Sequence, residues 1–185
     1  MANDKYLSLT ELEAGLEHVR QAPQNGGVLV LMARRPMTDE REILEQAELD
    51  VSDGLVGDNW RVRGSSRTAD GSAHPEMQLT LMNSRLISLI AQEPERWALA
   101  GDQLFVDLDL SASNVPPGTK LALGSAVIEV TGQPHTGCQK FAERFGTDAL
   151  KFINSSLGRQ LQLRGINAKV VQSGVIRVGN VVRKV

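Results

Sequence analysis

The apolar positions of this chain change period several times. In SLTELEAGLEHVR, Leu9, Leu12 and Leu16 recur near helical spacing, which predicts a first helix. Thr10 reads as its cap and Glu13 as the capping-box partner. QAPQNGG then breaks it. VLVLMA, at positions 28–33, is short, apolar and partly β-branched, and predicts a buried strand. TDEREILEQAEL, at 38–49, predicts a helix capped by Thr38, with Asp39 and Glu40 at its positive end. The same residues also suit a polar excursion between barrel strands. Positions 53–76 are glycine-rich and polar, carry Arg61, Arg63 and Arg67, and predict a long functional loop.

MQLTLMN, at 77–83, predicts a strand, and SRLISLIAQ a helix beginning near Ser84. DQLFVDLDL alternates most clearly. Leu104, Val106, Leu108 and Leu110 face one way, and Phe105, Asp107 and Asp109 the other. NVPPGTKLALGSAVIEVTG predicts two short strands, with turns at Pro116-Pro117-Gly118 and near Gly124. A helical stretch follows Cys138, and TDALKFIN reads as another helix with Thr147 as its cap. The tail from Leu161 to Val185 reads as strands punctuated by Gly165, Gly174 and Gly179. Strands dominate at short spacing, without regular β-α-β alternation. The expected fold is therefore mainly β with inserted small helices, an α+β barrel rather than a doubly wound sheet.

Composition narrows the functional classes. With 185 residues the chain suits one domain or one domain with a decoration. The formal net charge of -2 argues against nonspecific nucleic-acid binding, which needs a positive excess. No apolar run approaches the ~18 residues that would suggest a membrane span. The start MANDKYLSLTELE lacks the basic-then-apolar pattern of a signal peptide. The single cysteine excludes an internal disulfide, and a cytoplasmic location is expected.

That cysteine, Cys138, lies in EVTGQPHTGCQKFAERFG, between a glycine-rich turn and the start of a helix. A thiol acts chemically as its thiolate, and a helix N-terminus favours an anion. With the helix starting at Thr136 or Gly137, Cys138 sits near that end, and His135 and Lys140 could add positive charge. The candidate roles are nucleophile, sulfur carrier or metal ligand. A free cysteine is also commonly an inert core residue. The sequence has no C-x-x-C, no H-x-x-x-H, no G-x-S-x-G and no phosphate-binding P-loop. One soft thiolate could still complete the coordination of a metal brought by a cofactor. The arginines are the second candidate cluster. Arg34 and Arg35, Arg61 and Arg63, Arg85 and Arg164 each stand beside an expected strand end or a glycine. If several converge they form a site for phosphate or carboxylate; any one alone reads as ordinary surface arginine. Asp58, Asp102, Asp107 and Asp109 are candidate partners for them.

GLVGDNW, LTLMNSRLISLI, GDQLFVDLDL, TGQPHTGCQKFAERFG and RGINAKVVQSGVIRVGN, in this order, resemble the MOSC family, the molybdenum cofactor sulfurase C-terminal domain, in its stand-alone bacterial form. The block around Cys138 and the glycine-punctuated tail are the most specific parts. The likeness divides the chain into an N-terminal helical extension, 1–27, and a MOSC-like β-barrel domain, 28–185. It implies a site built around Cys138, acting as persulfide acceptor or molybdenum ligand, without pyridoxal phosphate. The implied cofactor is the molybdenum cofactor, molybdopterin. Asp58 and Asp102 fall in the family's two Gly-Asp elements, and Arg164 and Gly165 in its Arg-Gly element. On this reading Arg61, Arg63, Arg85 and Arg164 hold the ligand's phosphate, His135 and Lys140 tune the thiolate, and Asn83, Asp102 and Gln103 complete the cofactor pocket. The alternatives are a molybdenum-dependent reductase of N-hydroxylated substrates, served by a separate reductase, or a non-catalytic binding protein with a structural cysteine. The expected partners are the pterin-type cofactor or a sulfur-donor protein. Two positions depart from the family pattern. Gly137 stands where cofactor-handling members often place an arginine, and Gln103 where some carry asparagine.

Overall fold

The computed structural model describes residues 6–185. In chain order the strands are β1 (Gly27–Arg34), β2 (Glu42–Leu44), β3 (Gln46–Asp50), β4 (Gly54–Leu55), β5 (Leu79–Asn83), β6 (Leu104–Asp107), β7 (Lys120–Leu123), β8 (Ala126–Val130), β9 (Ile166–Gln172), β10 (Gly174–Arg177) and β11 (Val181–Lys184). The helices are α1 (Leu9–Arg20), α2 (Trp60–Arg63), α3 (Ser84–Ala91), α4 (Gln139–Phe145), α5 (Thr147–Asn154) and α6 (Ser156–Gln160). Two 3₁₀ segments, Pro75–Met77 and Pro94–Ala100, join them.

Seven strands close into a mixed barrel in the order β11-β7-β8-β9-β5-β6-β1, sealed where β1 pairs again with β11. The expected α+β barrel is thus present. β2 extends the sheet from the outer edge of β1. Among the described residues only the β5–β6 pairing is parallel; α3 and the second 3₁₀ segment supply its crossover. β10, β3 and β4 form a second small sheet.

Alternation in the sequence becomes a division between two apolar layers. Leu79, Leu81, Leu104, Val106 and Leu108 belong to the barrel interior. Met82 and Phe105, the neighbours of opposite parity, join the outer layer with residues of α1, α3, α4 and α5. Both faces of β5 and β6 are therefore buried, which is why LTLM and LFV read as nearly continuous apolar runs. β1 behaves differently. Leu29 and Met32 both reach the barrel interior despite their odd spacing, because the register shifts between Leu29 and Leu31. Val28 and Val30 are partly exposed, so β1 is not the fully buried strand that its composition suggests.

Three local expectations are corrected. Ser8 caps α1 and Glu11 closes the capping box, two positions before Thr10 and Glu13. The segment 38–49 is not a helix: it forms β2 and β3. Ala47 and Leu49 are buried while Gln46 and Glu48 are exposed, a period of two that its Glu- and Leu-rich composition disguises. Pairing with β1 and β10 supplies the ladder bonds that override the helical propensity. Thr147 is the first residue of α5, and Gly146 occupies the cap position. The segment 53–76 is largely irregular as expected, broken by α2 and by the short β4.

α1 lies over α3 and α5, where it buries Leu12, Leu16 and Val19. Arg85 fixes it there by donating to the His18 carbonyl while paired with Asp107. Among the described residues no helix is long and apolar enough to cross a membrane. The cap assignment is testable by urea denaturation. Ser8→Ala should lower stability by about 1 kcal/mol, whereas Thr10→Ala should change it by less than about 0.5 kcal/mol.

Candidate functional site

Two buried aspartates hold two arginines in place, and a cleft forms around them. Arg35, just after β1, makes a bidentate pair with Asp58, with Nε to Oδ1 at 3.0 Å and Nη2 to Oδ2 at 2.8 Å. Its backbone N–H also donates to Asp58, and its Nη1 to the Gly101 carbonyl. Burial pushes the Asp58 carboxyl up, but the Arg35 hydrogen bonds and charge, with the Arg35 and Trp60 N–H groups, hold it below its ordinary value. Arg164, just before β9, donates to Asp102 Oδ2 at 2.6 Å and to the Ala100 carbonyl at 2.9 Å, and its guanidinium lies over the Phe141 ring. Gly165 has φ +106°, and a Cβ there would meet the Leu81 carbonyl oxygen at 2.1 Å. Only glycine allows the chain to swing Arg164 into place and run β9 so tightly beside β5.

The cleft has a volume of about 230 Å³. Its walls carry Arg35, Arg41, Arg63, Arg144, Arg164 and Lys140, against a single lining aspartate, Asp39. Cys138 lies on the same wall and is exposed. It occupies the N-cap position of α4, with its side chain making no cap hydrogen bond. The backbone before it is clamped. Gly137 N–H donates to Asn154 Oδ1 at 3.0 Å, and Asn154 Nδ2 donates back to the Gly137 carbonyl at 3.1 Å. A Cβ at Gly137 would come within 2.6 Å of Ile153 and 2.7 Å of Leu150. A side chain at this position, where the chain departs from the family pattern, would displace the movable ends of Ile153 and Leu150.

Electrostatic crowding marks the cleft. Burial first, then the charges of Arg144 and Arg35, push the Arg41 guanidinium below its ordinary value; burial and Arg35 do the same to Arg63. Neutral hydrogen bonds from Arg41 to the Ala98 and Glu40 carbonyls satisfy donors without cancelling charge. Lys140 and Arg144 both approach Asp39, at 4.0 and 3.5 Å. Asn59 Oδ1 and Arg164 Nε, on residues of this wall, are buried without a hydrogen-bond partner among the described residues. Such a surface favours an anion that brings both charge and hydrogen-bonding groups.

His135 does not act as a cation here. Burial, followed by the charges of Arg164, Arg35 and Arg67, holds its imidazole well below the usual range. It is neutral at neutral pH, contrary to the expectation that it adds positive charge near Cys138. Its Nδ1 stands 3.6 Å from Asp102 Oδ1, beyond hydrogen-bonding reach. It also lines two adjoining cavities, of about 290 and 160 Å³.

Of the other candidates, Arg63, Arg164 and Lys140 converge on the cleft, and Asp102 and Gln103 support it from below. Gln103 is fully buried. Its Oε1 accepts from the Thr80 N–H and hydroxyl, and its Nε2 faces Asp58 and the Gln78 carbonyl. Arg61 instead pairs with Asp53 at the surface. Arg85 pairs with Asp107, and Asn83 caps α3 while donating to the Leu108 carbonyl. These three do not line the cleft. Arg41 and Arg144 do, and the sequence reading missed both. Arg41 lies in segment 38–49, where neither expectation, a helix or a polar excursion between barrel strands, points to a site. Arg144 had a legible signal, since it follows Lys140 by four residues on one helix face.

The chain belongs to the MOSC family: the MOSC domain model matches residues 69–183. The solved structure of the YuaD protein from Bacillus subtilis shares the fold at 15% identity and a TM-score of 0.64, over 84% of this chain and 93% of that one. YiiM from Escherichia coli aligns at 19% identity and a TM-score of 0.54, over 85% and 69% of the two chains. YiiM from Geobacillus stearothermophilus aligns at 16% and 0.52, over 88% and 74%. No curated protein matches the chain by sequence.

Two predictions follow from the buried groups. Asp102→Asn leaves Arg164 uncompensated and should cost about 3–5 kcal/mol in urea denaturation. His135 has a folded pKa depressed below its unfolded value, so the unfolded chain takes up the proton first. Its contribution is present above about pH 6.5 and is lost as pH falls through the folded pKa. Between about pH 7.5 and about pH 5.5 the parent protein should lose more stability than His135→Gln, as measured by denaturation at each pH.

Proposed function

We propose that this MOSC protein binds a molybdopterin-type cofactor or carries its sulfur, with Cys138 as the persulfide acceptor or the thiolate ligand to molybdenum. The observation that carries this reading is the placement of the single exposed thiol on a cleft lined by five arginines and a lysine. A phosphate-bearing pterin suits that wall. Guanidinium forks match phosphate oxygens, and the unpaired Asn59 Oδ1 and Arg164 Nε can receive polar edges.

Arg63 and Arg41 are the first groups to offer the phosphate. Their charges lack an ion-pair partner among the described residues, whereas Arg35 and Arg164 are tied to aspartates. Arg35 and Arg164 fix the wall and its field. Lys140 and Arg144 neutralise charge next to Cys138. The neutral His135 can donate one ring hydrogen bond and accept another toward a bound group. Among the described residues no three His, Cys, Asp or Glu side chains gather to hold a metal, so a metal here would arrive with its cofactor and take one protein ligand, Cys138. When bound, that group would supply a soft metal centre for sulfur or oxygen-atom exchange. A separate partner would supply sulfur or electrons, and a cytoplasmic setting would keep the thiol reduced.

The test is expression in a host competent for the cofactor, followed by metal analysis, pterin fluorescence and intact mass. The expected result is co-purifying pterin or one added sulfur, lost in Cys138→Ser. Arg63→Ala should weaken pterin retention about tenfold and make it less sensitive to salt. Molybdenum with turnover of an N-hydroxylated base would favour the reductase alternative. Pterin and sulfur both absent, or unchanged in Cys138→Ser, would sink the reading.

A further inference from the structure

The cleft also bears on where the sulfur comes from. Resting on the sulfur-carrier reading, we propose that Cys138 takes its sulfur directly from a small sulfane-sulfur dianion of the thiosulfate type, recruited by the arginines of the cleft.

A thiolate attacking a dianion is an encounter between like charges. In open water each unit pair at contact costs about 1 kcal/mol, and more where the dielectric is lower. Arg41, Arg63, Lys140 and Arg144, which are not tied to the buried aspartates and face only Asp39 on the lining, lower that barrier on the wall that carries the thiol. Burial first, and then neighbouring positive charge, depresses Arg41 and Arg63, and a small anion carrying two charges relieves the second of these. A sulfonate end offers three oxygens to guanidinium forks, and Arg164 keeps one Nε donor without a partner although the residue is only 8% exposed. The volume of about 230 Å³ admits a small molecule of this kind.

The reaction balances without another reagent. The Cys138 thiolate attacks the outer sulfur of thiosulfate with its own electron pair, and a new S–S bond forms. The S–S bond of thiosulfate breaks, and its electron pair departs with sulfite. The products are the Cys138 persulfide anion and sulfite dianion, so the three negative charges of the reactants are conserved. The arginines that bound the sulfonate then hold the leaving sulfite.

The experiment incubates the full chain with thiosulfate and reads intact mass and released sulfite. The expected result is one sulfur gained and one sulfite released per chain, both absent in Cys138→Ser. Arg63→Glu should slow the thiosulfate reaction at least about tenfold, and raised ionic strength should slow the parent protein. Alkylation of Cys138 by neutral iodoacetamide should change far less in the same variant, separating loss of recruitment from loss of fold. Loading by polysulfide or by a desulfurase but not by thiosulfate would overturn the proposal and leave the carrier reading standing. Thiosulfate loading insensitive to both Arg63→Glu and salt would overturn the role given to the cleft. Failure of every donor to load Cys138 would count against the carrier reading itself.

Discussion

The cleft depends on one buried ion pair, Arg164 with Asp102. Asp102 has no solvent exposure, and Arg164 has almost none. Neither would be held there alone, because an isolated buried charge costs several kcal/mol. Together they tie the turn before β6 to the turn before β9, on either side of β5. Burial pushes Asp102 up, while the charge and hydrogen bond of Arg164 pull against it. Burial first, and then the charge of Arg164, keeps the neighbouring His135 neutral. The geometry of the pair therefore sets the shape of the wall.

Arg35 and Asp58 repeat the device on the opposite side. In both cases a Gly-Asp step delivers the carboxylate and a strand end delivers the arginine. The aspartates spend their charge internally, so little of it reaches the cleft. What reaches solvent is the surplus: Arg41, Arg63, Lys140 and Arg144. A chain of net charge -2 thus carries a concentrated cationic hollow, which bulk composition conceals.

Much of this was legible in the sequence, and the failures have physical causes. Strands with a clear period of two, such as DQLFVDLDL, fall where expected because both of their faces are sorted by burial. Cys138, Arg63, Lys140 and Arg164 could be named because glycine turns and family motifs flank them. Segment 38–49 misled because Glu, Leu and Ala favour helix locally, while its partners β1 and β10 lie far away in sequence. Asn83 and Arg85 looked suited to ligand binding, but a helix cap and a β6 aspartate claimed them. Side-chain type alone does not say whether a polar group is already satisfied. The packing of Ile153 and Leu150 over Gly137 is likewise invisible in the sequence.

The closure of the barrel has a consequence for the order of events at the ribosome. β1 begins at Gly27, yet its second barrel neighbour is β11, with Gly27 opposite Val182. β1 and β6 can pair as soon as both have emerged, but the ring stays open until the last strand is released from the exit tunnel. During synthesis the nascent chain therefore holds an unpaired strand edge beside its apolar interior. The exposed interval is set by translation speed, and a chaperone that shields strand edges would act in that interval. The residues of the arginine cleft all precede β9, but Arg164 is set by the seating of β9 beside β5, so the cleft is completed late, together with the barrel.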